Sequence, residues 1–339
     1  MIPTTTLTSQ ALVAAAFLVV TSALYSMWFS NSKKWDPRGK HCFVTGGSRG
    51  TGLALAILLA QRGAHVSIVA RDQQRLDQGL KELERVRQDP KQIFRAYSYA
   101  VDSEAGSAAA LRASAEPHGG RCPEAVFLVA GASRPGFFID QTEESFKAGL
   151  QMTFGAQAFT ALATTKEMVR QGTKGKIVFV CSVLGLMSFV GYTPYTPGKF
   201  AIRGLAEGLR SELLVYGIDV HVAFPATICS PGLDEENAVK PKITLKIEET
   251  DSGSPPEAIA AGILRGVEKG RFHITMDFLG DVFRATAACA SPRANPISDI
   301  LYGLIGFIGL PLWRKSVDAH VVAHREEHRQ YCRDKGYIS

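Results

Sequence analysis

Short apolar runs alternate with longer helix-like stretches from about residue 40 onward, and this alternation restricts the fold more than any other feature. His41-Cys42-Phe43-Val44, Val66-Ser67-Ile68-Val69-Ala70, Ala125-Val126-Phe127-Leu128-Val129, Lys176-Ile177-Val178-Phe179-Val180 and Val220-His221-Val222-Ala223-Phe224 read as strands. Residues 50–61 read as the helix after the first strand, and a further strand is expected shortly before Asp102. Strands that are apolar along their length must be covered on both faces. The pattern predicts an α/β fold, a doubly wound parallel sheet that binds ligands at the carboxyl ends of its strands. Residues 40–277 are expected to form this unit, between an anchor and linker at 1–39 and a membrane-associated segment with a polar tail at 278–339.

The flanks point to a membrane. Ala11 to Phe29 is apolar, and no charged side chain precedes Lys33. At about 1.5 Å per residue such a helix is close to the hydrocarbon thickness of a bilayer. A secretory signal would carry basic residues ahead of a shorter apolar core, so a retained transmembrane helix is the expectation. Lys33, Lys34, Arg38 and Lys40 follow at once and place the remainder of the chain in the cytosol. Near the other end, Ile300 to Trp313 is free of charge but interrupted by Gly303, Gly306, Gly309 and Pro311. It is expected either to re-enter or lie on the bilayer, or to be an ordinary buried helix. The net charge of +6 is spread without one long basic run, which argues against a nucleic-acid partner. The six cysteines form no CxxC pair and read as reduced thiols.

Between the first strand and its helix lies Thr45-Gly46-Gly47-Ser48-Arg49-Gly50-Thr51-Gly52. Glycines at 46, 50 and 52 allow a tight turn and close backbone approach, and the helix N-terminus that follows favours an anion. A dinucleotide pyrophosphate fits there, with Ser48 in the same turn. The second strand ends at Ala70-Arg71-Asp72, and Arg49, Arg71 and Arg75 are expected to converge on a ribose 2′-phosphate, selecting NADPH over NADH. Asp72 could instead contact the ribose. Asp102 is expected either to accept from the adenine amino group or to cap a helix over residues 103–116.

Downstream stand Ser182, Tyr195 and Lys199. Tyr195 and Lys199 are four apart and share one helix face, so the ammonium should favour the phenolate and lower the tyrosine pKa from about 10. Ser182 follows a strand and can hydrogen-bond a substrate oxygen. Tyr195 then gives a proton to a carbonyl oxygen as hydride arrives at its carbon. Tyr192 lacks this arrangement, since Thr196 stands four residues beyond it. Pro197 and Gly198 suit only a first helical turn. Residues 232–256, rich in charge, interrupt the alternation and are expected to form a substrate lid or a surface loop.

These residues resemble the short-chain dehydrogenase/reductase family, over about residues 40–277. The likeness rests on Gly47-Ser48-Arg49-Gly50, on Gly131-Ala132-Ser133-Arg134-Pro135-Gly136 and on the run from Tyr195 to Glu207. Pro225-Ala226-Thr227, Ser230-Pro231-Gly232 and Glu235-Glu236-Asn237 are more distinctive, and resemble the members that act on long-chain keto amines. The resemblance implies a Rossmann fold of the short-chain type and an endoplasmic-reticulum enzyme that reduces 3-ketodihydrosphingosine with NADPH in sphingoid-base synthesis. It also implies that Thr227, Tyr195 and Lys199 touch the cofactor. Two positions depart from the family pattern. Thr153 stands where an asparagine is usual, and Leu128-Val129-Ala130-Gly131 replaces an asparagine-containing turn whose hydrogen bonds must come from elsewhere or be omitted.

A sterol or retinoid ketone is the alternative substrate, and a non-catalytic dinucleotide-sensing membrane scaffold is the reading from another class. The oligomeric state stays open, a homo-oligomer included. His320, His324, His328 and Cys332 recur every four residues and could form a metal ladder on one helix, but Arg325, Glu326, Glu327 and Arg329 between them look solvated. No metal is expected.

Overall fold

The computed structural model describes Thr21 and residues 35–338. The expected anchor, Ala11–Phe29, lies outside the described residues except for Thr21. Seven parallel strands form one sheet in the order β3-β2-β1-β4-β5-β6-β7. They are β1 (His41–Thr45), β2 (His65–Ala70), β3 (Phe94–Ser98), β4 (Ala125–Leu128), β5 (Lys176–Val180), β6 (Asp219–Ala223) and β7 (His273–Ile274). The order reverses between β1 and β4, so a crevice opens beyond their carboxyl ends.

Period-two alternation divides each central strand between two cores. Ile177 and Phe179 of β5 face the core closed by α3 (Glu104–Ala115), α5 (Ala156–Gln171) and α6 (Thr196–Leu213). Val178 and Val180 face the core closed by α1 (Gly50–Gln61), α2 (Gln73–Arg85) and α9 (Pro256–Glu268). Between β4 and α5 the chain forms α4 (Glu143–Leu150), which runs on through a π-helical turn at Gln151–Gly155. The expected lid region folds as two short helices, α7 (Pro231–Asn237) and α8 (Lys242–Ile247). A bridge between Ile228 and Ser254 then ties residues 251–254 back beneath β6.

Of the two expectations for Ile300–Trp313, the ordinary buried helix is corrected. The segment belongs to one helix of 28 residues, α11 (Pro296–Ala323), with most of its large apolar side chains exposed. Ile300, Leu301, Leu304, Phe307, Ile308 and Leu312 are exposed along it. Its length and mean hydropathy of 1.4 would allow it to cross a membrane. Its inner side rests on α10 (Phe278–Ala287), where Asp299 meets Arg284 in a two-pronged ion pair at 2.6 and 3.0 Å. Both side chains are 2% exposed, and Arg284 reaches Asp281 as well, at 3.3 Å. Burial opposes the Arg284 charge, but Asp299 more than offsets it and holds the guanidinium pKa above its ordinary value. The helix ends before His324, and α12 (Arg325–Asp334) starts anew. The histidine ladder is therefore split between two helices. His320 bonds Ser316 O, His324 meets Glu327 and His328 faces Phe137.

Candidate active site

One cleft of about 1410 Å³ opens over the carboxyl ends of the strands. Gly46, Ser48, Arg49, Gly50, Gly52, Arg71, Arg75, Asp102, Ser182, Tyr195, Lys199 and Thr227 all line it. Each arrives on the turn or helix that follows a strand, because both faces of the sheet are already covered by helices.

At one end the glycine turn leaves β1 with φ of +67° at Gly46 and +55° at Gly50. A Cβ at position 52 would overlap the Gly46 carbonyl, so the turn can close only with glycine there. No side chain caps the first turn of α1 and no acidic residue lies in it, which leaves its N–H groups and dipole free for an anion. The three arginines are not equally free. Arg49 is held by both oxygens of Glu235 on α7, at 2.5 and 2.9 Å, and Arg75 pairs with Asp72 at 3.3 Å. Arg71 alone has no side-chain partner among the described residues. Asp72 also accepts from Arg75 N and caps α2. Ser103, not Asp102, caps α3, which leaves the Asp102 carboxylate facing the cleft. Thr227 donates to Asp251 at 2.6 Å.

At the other end, Tyr195 immediately precedes α6, and Pro197 and Gly198 fall in the helix's first turn. Lys199 is buried, donates to Val180 O at 3.2 Å, and lies 5.4 Å from the Tyr195 ring centroid. The Tyr195 pKa moves opposite to the sequence expectation. Burial pushes the phenol well above its ordinary range, helped by the Cys181 and Glu236 charges, while Ser182 pulls the other way. Burial also lowers the Lys199 pKa. Tyr195 is thus protonated at neutral pH, the state a proton donor needs. Ser182 Oγ accepts from Leu184 N at 3.2 Å and is held at the end of β5.

The structure also resolves the two departures. Thr153 lies in the π-helical turn and spends its hydroxyl proton on Gly149 O at 2.8 Å. It presses on α6 where a Cβ at Gly198 would overlap its oxygen, so Gly198 is what lets the two helices touch. Four residues on, buried Gln157 donates to Val180 O at 2.9 Å, the same carbonyl that receives Lys199. Its Oε1 is buried without a partner among the described residues. The turn after β4 is secured by Thr45, whose Oγ1 accepts from Val129 N and Ala130 N at 3.0 and 3.1 Å. Neither Thr45 nor Gln157 stood out in the sequence. A threonine ending β1 beside an asparagine-free turn was the available signal.

Beyond Tyr195 the cleft becomes apolar, with Met187, Phe189, Val239, Leu279, Phe283 and Trp313 on its walls. Among them stands Tyr192, whose hydroxyl lies 2.7 Å from both Glu236 Oε1 and Glu248 Oε1. Lys240, 2% exposed, meets the same two carboxylates at 3.1 and 2.7 Å from behind.

A dinucleotide cradle joined to a serine–tyrosine–lysine set defines an oxidoreductase acting at a carbonyl or alcohol carbon. The chain belongs to the short-chain dehydrogenase family, whose model matches residues 40–240. It is 38% identical to a 3-ketodihydrosphingosine reductase of Cryptococcus neoformans over 97% of this chain and 98% of the relative. It is 32% identical to a 3-dehydrosphinganine reductase of Danio rerio, over 89% and 90% of the two chains. Among solved structures, a short-chain dehydrogenase/reductase of Burkholderia phymatum in complex with NAD matches with a TM-score of 0.64 at 20% identity, over 75% and 92% of the two chains. That likeness shows the fold.

Proposed function

We propose that this chain reduces the 3-keto group of 3-ketodihydrosphingosine to the alcohol of dihydrosphingosine, with NADPH as reductant. The observation that carries the reading is the match to 3-ketodihydrosphingosine reductases along almost the whole length of both chains, with Ser182, Tyr195 and Lys199 gathered in one cleft. The uncapped start of α1 and its glycine turn fit a pyrophosphate, and unpaired Arg71 beside Arg75 fits a 2′-phosphate. When bound, the cofactor supplies a hydride to the carbonyl carbon.

The residues of the chain supply the remainder. Tyr195 gives its proton to the carbonyl oxygen, so that carbon gains hydride and oxygen gains a proton. Ser182 donates a hydrogen bond to the same oxygen. Lys199 and Gln157, both on Val180 O, fix the floor beneath Tyr195. The apolar walls take the alkyl chain and exclude water. The exposed apolar side of α11, with the expected anchor at Ala11–Phe29, supports attachment to the endoplasmic reticulum membrane with the cleft towards the cytosol.

The test is turnover by the purified full chain with each cofactor. Dihydrosphingosine should accumulate with NADPH at least about 10-fold faster than with NADH, as expected when a guanidinium reads the 2′-phosphate. Equal rates would remove the assignment of NADPH, and no product with either cofactor would remove the substrate.

A further inference from the structure

We propose that Glu236 and Glu248, presented by Tyr192 and Lys240, form the subsite that binds the substrate's ammonium group. This rests on the reading of the substrate as a 2-amino-3-ketone. The proposal makes a network that lies outside the Ser182–Tyr195–Lys199 set a determinant of specificity.

Charge balance points to a cationic occupant. Two carboxylates face one lysine, which leaves one negative charge in excess. The lysine is buried behind them and does not line the cleft, whereas both glutamates and Tyr192 do. Hydrogen-bond balance points the same way. Tyr192 has one phenolic proton between two carboxylate oxygens at 2.7 Å and can serve only one at a time, which leaves Lys240 as the other donor to the pair. An ammonium brings the missing charge and further donors for the two carboxylates. A second guanidinium or lysine from the protein would have answered the same need, but none reaches these oxygens among the described residues.

Position relates the network to the chemistry. The Tyr192 and Tyr195 rings lie 6.2 Å apart, and the Glu236 charge already acts on the Tyr195 phenol, raising its pKa. An amine on the carbon next to the ketone must sit beside Tyr195 once the ketone oxygen does. Neutralising Glu236 with that amine also relieves its hold on the Tyr195 proton. The correct substrate thereby makes its own proton donor stronger. A neutral sterol ketone would leave the excess charge unmet in an otherwise apolar cleft.

The experiment compares 3-ketodihydrosphingosine with the same long-chain hydroxyketone lacking the amine, and with its N-acetyl form, at fixed NADPH. Wild-type protein should favour the free amine by on the order of 100-fold in kcat/KM. Glu236→Gln and Glu248→Gln, which keep the shape and a hydrogen bond to Tyr192, should cut turnover of the amine without slowing the amine-free ketone by more than about 3-fold. NADPH affinity, read by quenching of protein fluorescence, should not change. Equal losses on both ketones in folded variants would overturn the proposal, as would a wild-type preference below about 3-fold. If a variant does not fold, the wild-type comparison of the three ketones decides alone. Turnover of none of them would overturn the substrate reading itself, and the subsite with it.

Discussion

Tyr195 shows how far a residue's chemistry can be read before its surroundings are known. Its spacing from Lys199 marked it as the proton carrier, and the spacing alone suggested a lowered pKa. Burial reverses that direction, because desolvation disfavours the phenolate and Lys199 is turned towards Val180 O. Tyr192 went the other way. Its sequence neighbours gave it no role, and its partners Glu236 and Glu248 lie 44 and 56 residues along the chain. Contacts at that separation leave no periodic trace in a sequence. Buried histidines carry a consequence of their own. His221 and His273 are both held at about 4 by burial, against an ordinary 6.5. The unfolded chain binds these protons first, so stability is full above pH 6.5 and is lost as pH falls towards 4, by roughly 3 kcal/mol for each ring. Urea unfolding across that window should show the loss, and His221→Gln should remove part of it. A flat profile would contradict this.

At the scale of elements, the strands were legible because their faces are both buried. The residues of β5 were read with the bounds that the structure has. β7 was missed, since two residues cannot display a pattern. The glycine turn and α1 were equally clear, as both depend on local backbone needs. The full length of α11 was not legible, because the apolar run covers only its middle. Asp299 lies ahead of that run, with its charge buried against Arg284, and the helix runs through it. That pair should hold α11 to the body of the protein. Asp299→Ala leaves buried Arg284 with Asp281 as its one remaining carboxylate among the described residues, at 3.3 Å, which costs up to about 3–5 kcal/mol. Urea unfolding should register it, with faster proteolysis of residues 288–295; a loss below about 1 kcal/mol would show that the apolar contacts of α11 suffice alone.

For the whole molecule, two cores on one sheet leave the strand ends as the natural place for chemistry, and both polar centres of the cleft lie there. The glycine turn and Arg71 occupy one side, and Ser182, Tyr195 and Lys199 stand where the apolar walls begin. The acidic pair lines the same cleft, as does Trp313 of α11, whose outer side exposes a row of large apolar side chains. A lipid with a cationic head and one long chain matches that sequence of environments from end to end. Under the proposed mechanism a hydride from the cofactor and a proton from Tyr195 reach one ketone of that lipid. NADPH carrying deuterium on C4 of its nicotinamide, incubated with the full chain and 3-ketodihydrosphingosine, tests it most directly. Mass spectrometry should find deuterium on C3 of dihydrosphingosine, and Tyr195→Phe should lower its formation by about 100-fold or more while still binding NADPH. Unlabelled product, or a Tyr195→Phe protein as fast as wild type, would contradict the account.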